Sequence, residues 1–284
     1  MKKIDKKGIF WFLFITFGLT IGITTILWLF GISFIGKGAL VSQLVISGAM
    51  LIPGISAFIV RKFITKEGFS DAGLKFGSGK LYLKTYIFIP FIFVVIYGIT
   101  AVFYKPDFSL SSFVTQYGVS PPIPPSLMII AIVISSLTFA TVINSAFAFG
   151  EEFGWRGYLL PKLLPLGKVK ALVISGIVWG LWHVPFILLL GFHYGEDKIL
   201  GAIVFTILIM FLGIYIGYLR LKSGSVFLAS FAHGVFNAQF YGVWILIFPS
   251  VDVLLGGRTG LIGILVFMII ALWILMLKIK KLSS

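Results

Sequence analysis

The stretch Leu127–Phe149, LMIIAIVISSLTFATVINSAFAF, decides the fold class. It carries no charge over 23 residues, and about 20 mostly apolar residues suffice for a helix to cross the roughly 30 Å hydrocarbon core of a bilayer. Seven comparable stretches lie outside it, at about Ile9–Phe30, Ala39–Val60, Thr85–Tyr104, Ala171–Leu190, Ile199–Leu219, Val226–Phe248 and Leu261–Leu277. With 59% hydrophobic and 11% charged residues in 284, the composition is that of an integral membrane protein rather than a soluble domain. The pattern predicts an all-α, polytopic membrane helix bundle of about eight transmembrane helices, forming a single integral membrane domain over residues 1–284.

The first apolar run reads as a span and not as a cleaved signal, because it is long and no small-residue cleavage site follows it. The chain has no cysteine, which excludes disulfides, thiolate metal sites and a cysteine nucleophile. A formal charge of +14 does not point to nucleic acid, because the cations sit in short connections between spans rather than on one periodic face. All but four of the 23 Lys and Arg residues fall on one side of the expected bundle; Lys37, Lys105, Lys198 and Arg258 are on the other. The positive-inside rule then predicts a multi-pass protein of the cell membrane with both termini cytosolic. The Lys62–Lys80 connection reads as cytosolic and the Pro-rich Val119–Ser126 segment as external. The pairs Gly18/Gly22, Gly176/Gly180 and Gly213/Gly217 have the small-xxx-small spacing of close helix crossings.

Charged and polar residues at membrane depth are costly and need partners. Three clusters qualify. Directly after Phe149, Glu151 and Glu152 stand side by side, with Arg156 one turn beyond Glu152; upstream, Thr141, Asn144 and Ser145 recur at helical intervals and form a polar stripe. Glu152 and Arg156 are an i,i+4 pair, which leaves Glu151 free. The bland alternative is an interfacial helix with snorkelling side chains. His183 lies roughly 18 Å along a helix from Lys170. His233 and Asn237, four residues apart, share a helix face. His183 alone reads equally well as an interhelical hydrogen-bond partner, and for His233 with Asn237 alone that reading is the preferred one. His193 falls in an external loop and is given no role. Taken together, two histidines, a carboxylate and an amide in one bundle can activate water and stabilise an oxyanion, as a hydrolase requires.

In this order the three clusters resemble the EExxxR, FxxxH and HxxxN motifs of the CAAX protease and bacteriocin-processing (CPBP, or Abi) membrane proteins: EEFGWR at Glu151–Arg156, WGLWH at Trp179–His183 and HGVFN at His233–Asn237. The similarity covers about Phe147–Asn237, inside a catalytic core expected at about 127–248. Trp179 departs from the motif, where Phe is usual, and is read as a second aromatic wall. The resemblance implies an intramembrane endopeptidase. Its relatives include enzymes that remove the last three residues of prenylated CAAX proteins and others tied to bacteriocin maturation or self-immunity. The expected mechanism has Glu151 and His183 activating a water, His233 and Asn237 holding the oxyanion, and Glu152 with Arg156 bracing Glu151. The expected partners are the lipid bilayer and a peptide or prenylated protein substrate reached from the cytosolic side, with no nucleic acid. No cofactor is favoured, since HExxH is absent; one zinc ion on His183, His233 and Glu151 is the alternative. The competing functions are a non-catalytic immunity or scaffold protein on the same fold and a proton-coupled transporter.

Overall fold

The computed structural model describes residues 4–34, 39–117 and 122–282; Lys2, Lys3, Lys37 and the Val119–Pro121 part of the Pro-rich segment lie outside them. The described residues are helical with no strand. In chain order the helices are α1 (Lys6–Leu29), α2 (Ala39–Ala49), α3 (Ile52–Ile59), α4 (Gly79–Phe103), α5 (Ser111–Tyr117), α6 (Pro125–Leu137) and α7 (Phe139–Gly154). The second half holds α8 (Leu160–Leu163), α9 (Lys168–Trp182), α10 (Val184–Leu190), α11 (Lys198–Ser223), α12 (Val226–Phe240), α13 (Trp244–Ile247) and α14 (Leu261–Trp273). Wide π turns continue α3 over Val60–Ile64, α7 over Trp155–Leu159 and α14 over Ile274–Lys278.

Among the described residues, six helical segments are long and apolar enough to cross a membrane: Lys6–Leu29, Val41–Ile64, Gly79–Phe103, Lys168–Leu190, Lys198–Ser223 and Leu261–Lys278. A seventh is Pro125–Leu137 with Phe139–Leu166, bent by 41° at Thr138. A break of this kind frees backbone carbonyls, which must find donors inside a membrane protein. Here the Tyr86 hydroxyl donates to the Leu137 carbonyl and the Thr141 hydroxyl to that of Ser136. The count differs from the expected eight at Val226–Phe248. That stretch is α12, 15 residues and so about 22 Å long, followed by a turn and the short α13. It is buried along nearly its whole length, packed on α7, α4 and α11. Its apolar residues face protein, which on hydropathy alone is indistinguishable from facing lipid.

The bundle has two distinct ends. At one, Lys162 pairs with Asp5 at 3.0 Å and with Glu67, Arg61 pairs with Asp71 at 2.8 Å, and Lys168 donates to the Leu282 carbonyl. The starts of α1 and α9 and the end of α14 therefore share this lysine-rich end. At the other end of α1, the Phe34 N–H bonds the Leu190 carbonyl at 2.9 Å. This second end gathers the tail of α10, the residue 191–197 loop, the end of α12 and the residue 249–260 loop.

Candidate active site

Two close helix crossings set the site. At the first, a Cβ on Gly150 would lie 2.7 Å from the Met50 carbonyl oxygen, and one on Gly54 would lie 2.6 Å from that of Gly150. The last turn of α7 is thereby held against α3, with Glu151 and Glu152 turned inward. At the second, a Cβ on Gly176 would lie 2.7 Å from the Met210 carbonyl oxygen, so α9 and α11 cross with their backbones in contact. Of the three small-residue pairs, Gly176, Gly180 and Gly213 make such contacts and Gly217 meets the Leu172 side chain, whereas Gly18/Gly22 meet nothing.

These crossings bring every residue of the three motifs together. Glu151, Glu152, Arg156, His183 and His233 are buried, Glu152 completely. Arg156 stands on the π turn that follows α7, an element often found at functional sites, and its Nη1 donates to Glu152 Oε1 at 2.9 Å. The same oxygen meets His233 Nδ1 at 3.0 Å, while Arg156 Nη2 donates to the Gly213 carbonyl at 3.3 Å. Glu152 Oε2 is buried with no hydrogen-bond partner. Glu152 and Arg156 thus brace His233, not Glu151 as expected. This is a pairing across 81 residues that helical spacing could not reveal.

Glu151 is not free either. The Trp179 indole N–H donates to its Oε2 at 2.6 Å. The ring of Trp179 carries the Arg156 guanidinium 4.2 Å from its centroid and meets His233 edge-on at 5.1 Å. The Trp179 carbonyl takes His183 Nδ1 at 2.9 Å. A carbonyl can only accept, so His183 Nδ1 carries a proton and, in the neutral ring, Nε2 presents a lone pair. Trp179 therefore touches both glutamate systems and both histidines, and sequence reasoning reduced it to a wall. The one available signal was chemical: an indole at this motif position can donate a hydrogen bond and a phenyl cannot. Trp179→Phe keeps a ring under Arg156 and removes only the donor, so kcat should fall by about 10- to 100-fold, the range for losing a hydrogen bond to a charged group. KM should stay near its original value; unchanged kcat in this variant would deny Trp179 a positioning role.

Glu151, Trp179, His183 and His233 line a cavity of about 90 Å³, with Asn144 and Asn237 on its wall beside Phe205, Leu212 and Phe236. That is room for several waters. Asn237, one turn past His233, is half-buried and its side chain makes no hydrogen bond among the described residues. Of the upstream polar stripe, Asn144 reaches the cavity, Ser145 packs against Gly234 and Thr141 is buried against the α6–α7 break. Among the described residues no three His, Asp or Glu side chains are gathered as a metal site.

The cavity opens away from the lysine-rich end. Gln43, Phe192, His193 and Tyr241 line it and also line a second, outer cavity of about 550 Å³ with Phe34, Pro249 and Arg258. Cytosolic access was expected on the assumption that the site opens beside the lysines. The geometry puts its mouth at the opposite end of the bundle.

Residues 133–239, which contain all three motifs, match the family described as type II CAAX prenyl endopeptidase Rce1-like. The chain carries an Rce1-like segment. A curated relative, CAAX prenyl protease 2 of Methanococcus maripaludis, is 35% identical over 92 residues, covering 31% of this chain and 34% of the relative. The match thus spans about a third of the length of that relative. With its apolar helices, the chain is a multi-pass membrane protein.

Proposed function

We propose that this protein is a membrane-embedded endopeptidase in which Glu151 and His183 activate a water and His233 and Asn237 stabilise the oxyanion. The observation that carries this reading is the convergence of four uncommitted groups on one buried cavity: Glu151 Oε1, His183 Nε2, His233 Nε2 and the Asn237 amide. Glu151, fixed through its other oxygen by Trp179, takes a proton from the water as the water oxygen bonds to the scissile carbonyl carbon. The carbonyl oxygen becomes an oxyanion, accepting hydrogen bonds from the Asn237 amide and from Nε2 of a doubly protonated His233 whose Nδ1 is held by Glu152. Collapse of the adduct breaks the C–N bond, and the proton gathered by Glu151 and His183 passes to the departing amine. No step is routed through a metal.

The test is cleavage of a farnesylated CAAX peptide and its unprenylated control by the purified protein in detergent, before and after chelation and desalting. Cleavage that survives chelation is expected. Activity lost on chelation and restored by stoichiometric zinc would replace the metal-free mechanism. Failure to cut either peptide would rule out CAAX substrates and leave an outer-face peptide substrate or the non-catalytic immunity or scaffold role.

The concentration of cations at one end supports termini in the cytosol of the cell, and in that orientation the mouth faces outward. The substrate is then a peptide or protein segment presented at the outer face, not a cytosolic prenylated protein. The absence of cysteine makes this directly measurable, since a single introduced thiol has no competitor. In intact cells a membrane-impermeant maleimide should label Ser250→Cys, at the mouth end, and not Ser70→Cys, on the lysine-rich end. The reverse pattern would put the mouth in the cytosol and restore cytosolic access.

A further inference from the structure

Two of the three π turns carry an arginine at their second residue: Arg156 on the turn after α7 and Arg61 on the turn after α3. The chemistry described so far uses only Arg156. Arg61 is buried just as deeply, its side chain 0% exposed against 1%, and a buried charge in a membrane bundle needs a reason. Its partners supply one. Nη1 donates to the Gly68 carbonyl at 2.6 Å and to Asp71 Oδ1 at 2.8 Å, and the guanidinium lies 5.1 Å from the centroid of the Tyr158 ring. Nη2 crosses to the other π turn and donates to the Gly157 carbonyl at 3.0 Å, a contact spanning 96 residues.

The sequence explains why that carbonyl takes a side-chain donor. In a regular helix it would accept from the N–H four residues on, but that position is Pro161, which has none. Leaving a buried carbonyl unpaired costs about as much as a lost hydrogen bond. Gly157 is buried, and a Cβ on it would lie 3.3 Å from the Ala72 carbonyl oxygen, so the turn packs against the same loop that Asp71 ties to Arg61. Arg220 fastens this loop from a third helix, Nη2 donating to the Asp71 carbonyl at 2.8 Å. Arg156 is the residue immediately before Gly157. From it the contacts run unbroken into the site: Arg156 Nη1 to Glu152 Oε1 at 2.9 Å, and that oxygen to His233 Nδ1 at 3.0 Å.

We propose that Arg61 is a positioning residue: by supplying the donor that Pro161 lacks, it fixes the π turn at Gly157 and so holds Arg156 on Glu152 and Glu152 on His233. The kinetic arm of its test rests on the endopeptidase reading, whereas the spectroscopic arm needs no turnover. The chain has three histidines, so nitrogen-isotope labelling of histidine in the purified full chain gives three imidazoles to follow by NMR, assigned with His183→Gln, His193→Gln and His233→Gln.

Arg61→Met should shift the His233 Nδ1 resonance and leave those of His183 and His193 in place. It should also lower kcat about 10- to 100-fold at unchanged KM, as expected when one charge-assisted contact is lost. Adding Pro161→Ala returns an N–H to position 161, so the double variant should recover the His233 resonance and most of the lost kcat. A residue that only holds the fold together would not be rescued in this way. The stability control is Ile274→Ala, which empties a buried position on the turn after α14, an element that adds no residue to the inner cavity. It should lower the melting temperature without moving the His233 resonance or kcat. Should Arg61→Met not fold, Arg61→Lys takes its place; lysine keeps the charge but reaches fewer acceptors, and a smaller shift of the same resonance is expected. An unmoved His233 resonance in the folded Arg61 variant, a shift that Pro161→Ala does not reverse, or one that Ile274→Ala reproduces would overturn the assignment. If the wild type cuts no peptide, the endopeptidase reading fails on its own, and the His233 resonance still decides the role of Arg61.

Discussion

Glu151→Gln should lower kcat for peptide cleavage by about 10²- to 10⁴-fold, the contribution expected of a positioned general base. KM and the detergent melting temperature should stay near their wild-type values. The side-chain amide has the same shape as the carboxylate, and its oxygen can still accept the Trp179 N–H that now meets Oε2 at 2.6 Å. The packing of α7 against α3 is therefore preserved. What disappears is a proton acceptor facing a cavity large enough for water. Burying a neutral amide also costs less than burying a carboxylate, so a fall in stability is not part of the expectation. The measurement is steady-state cleavage beside thermal unfolding of the same preparation. A variant retaining more than a tenth of wild-type kcat would transfer the base role to His183 alone.

Much of the site was legible in the sequence because its residue types are expensive in a membrane. A chain with nine Asp and Glu residues that spends two adjacent ones after an uncharged span needs a reason, and the spacings of Glu152 to Arg156 and of His233 to Asn237 follow from helical geometry. The contacts between helices were not legible. Trp179 on α9 reaches Glu151 on α7 across 28 residues, and nothing in the local pattern of either segment encodes that. In the sequence the depth of His183 is measured from one end only. His183 is thirteen residues from Lys170 but seven from Leu190, about 10 Å from the far end of its helix, and the polar atoms open toward that nearer end. The length of α12 was obscured for a related reason. Apolar residues continue past α12, with Gly242 and Val243 of the turn buried, so the run outlasts the helix.

Glu152 and Arg156 should show a different energetics from Glu151, because each is the other's charge partner in a site with no water to replace it: their side chains are 0% and 1% exposed. Removing one partner of a buried ion pair costs about 3–5 kcal/mol, mostly through the charge left behind. Glu152→Gln keeps an oxygen for Arg156 Nη1 and His233 Nδ1 but removes the charge that balances the guanidinium, which is left with neutral acceptors, the amide oxygen and the Gly213 carbonyl at 3.3 Å, beside the Trp179 ring. Arg156→Met strands the carboxylate, whose Oε2 already lacks a partner. Both single variants should unfold at clearly lower temperature in detergent. The double variant Glu152→Leu with Arg156→Met buries no charge and fills a similar volume, so it should recover most of the lost stability. It should not recover activity, because His233 Nδ1 then has no acceptor and the ring loses both its orientation and the anion that offsets its charge in the proposed oxyanion site. Stability restored without activity is the result that distinguishes a pair positioning His233 from one that merely holds helices together. If the double variant cleaved peptide as well as the wild type, Glu152 and Arg156 would be structural and His233 would be oriented by its packing against Trp179 alone.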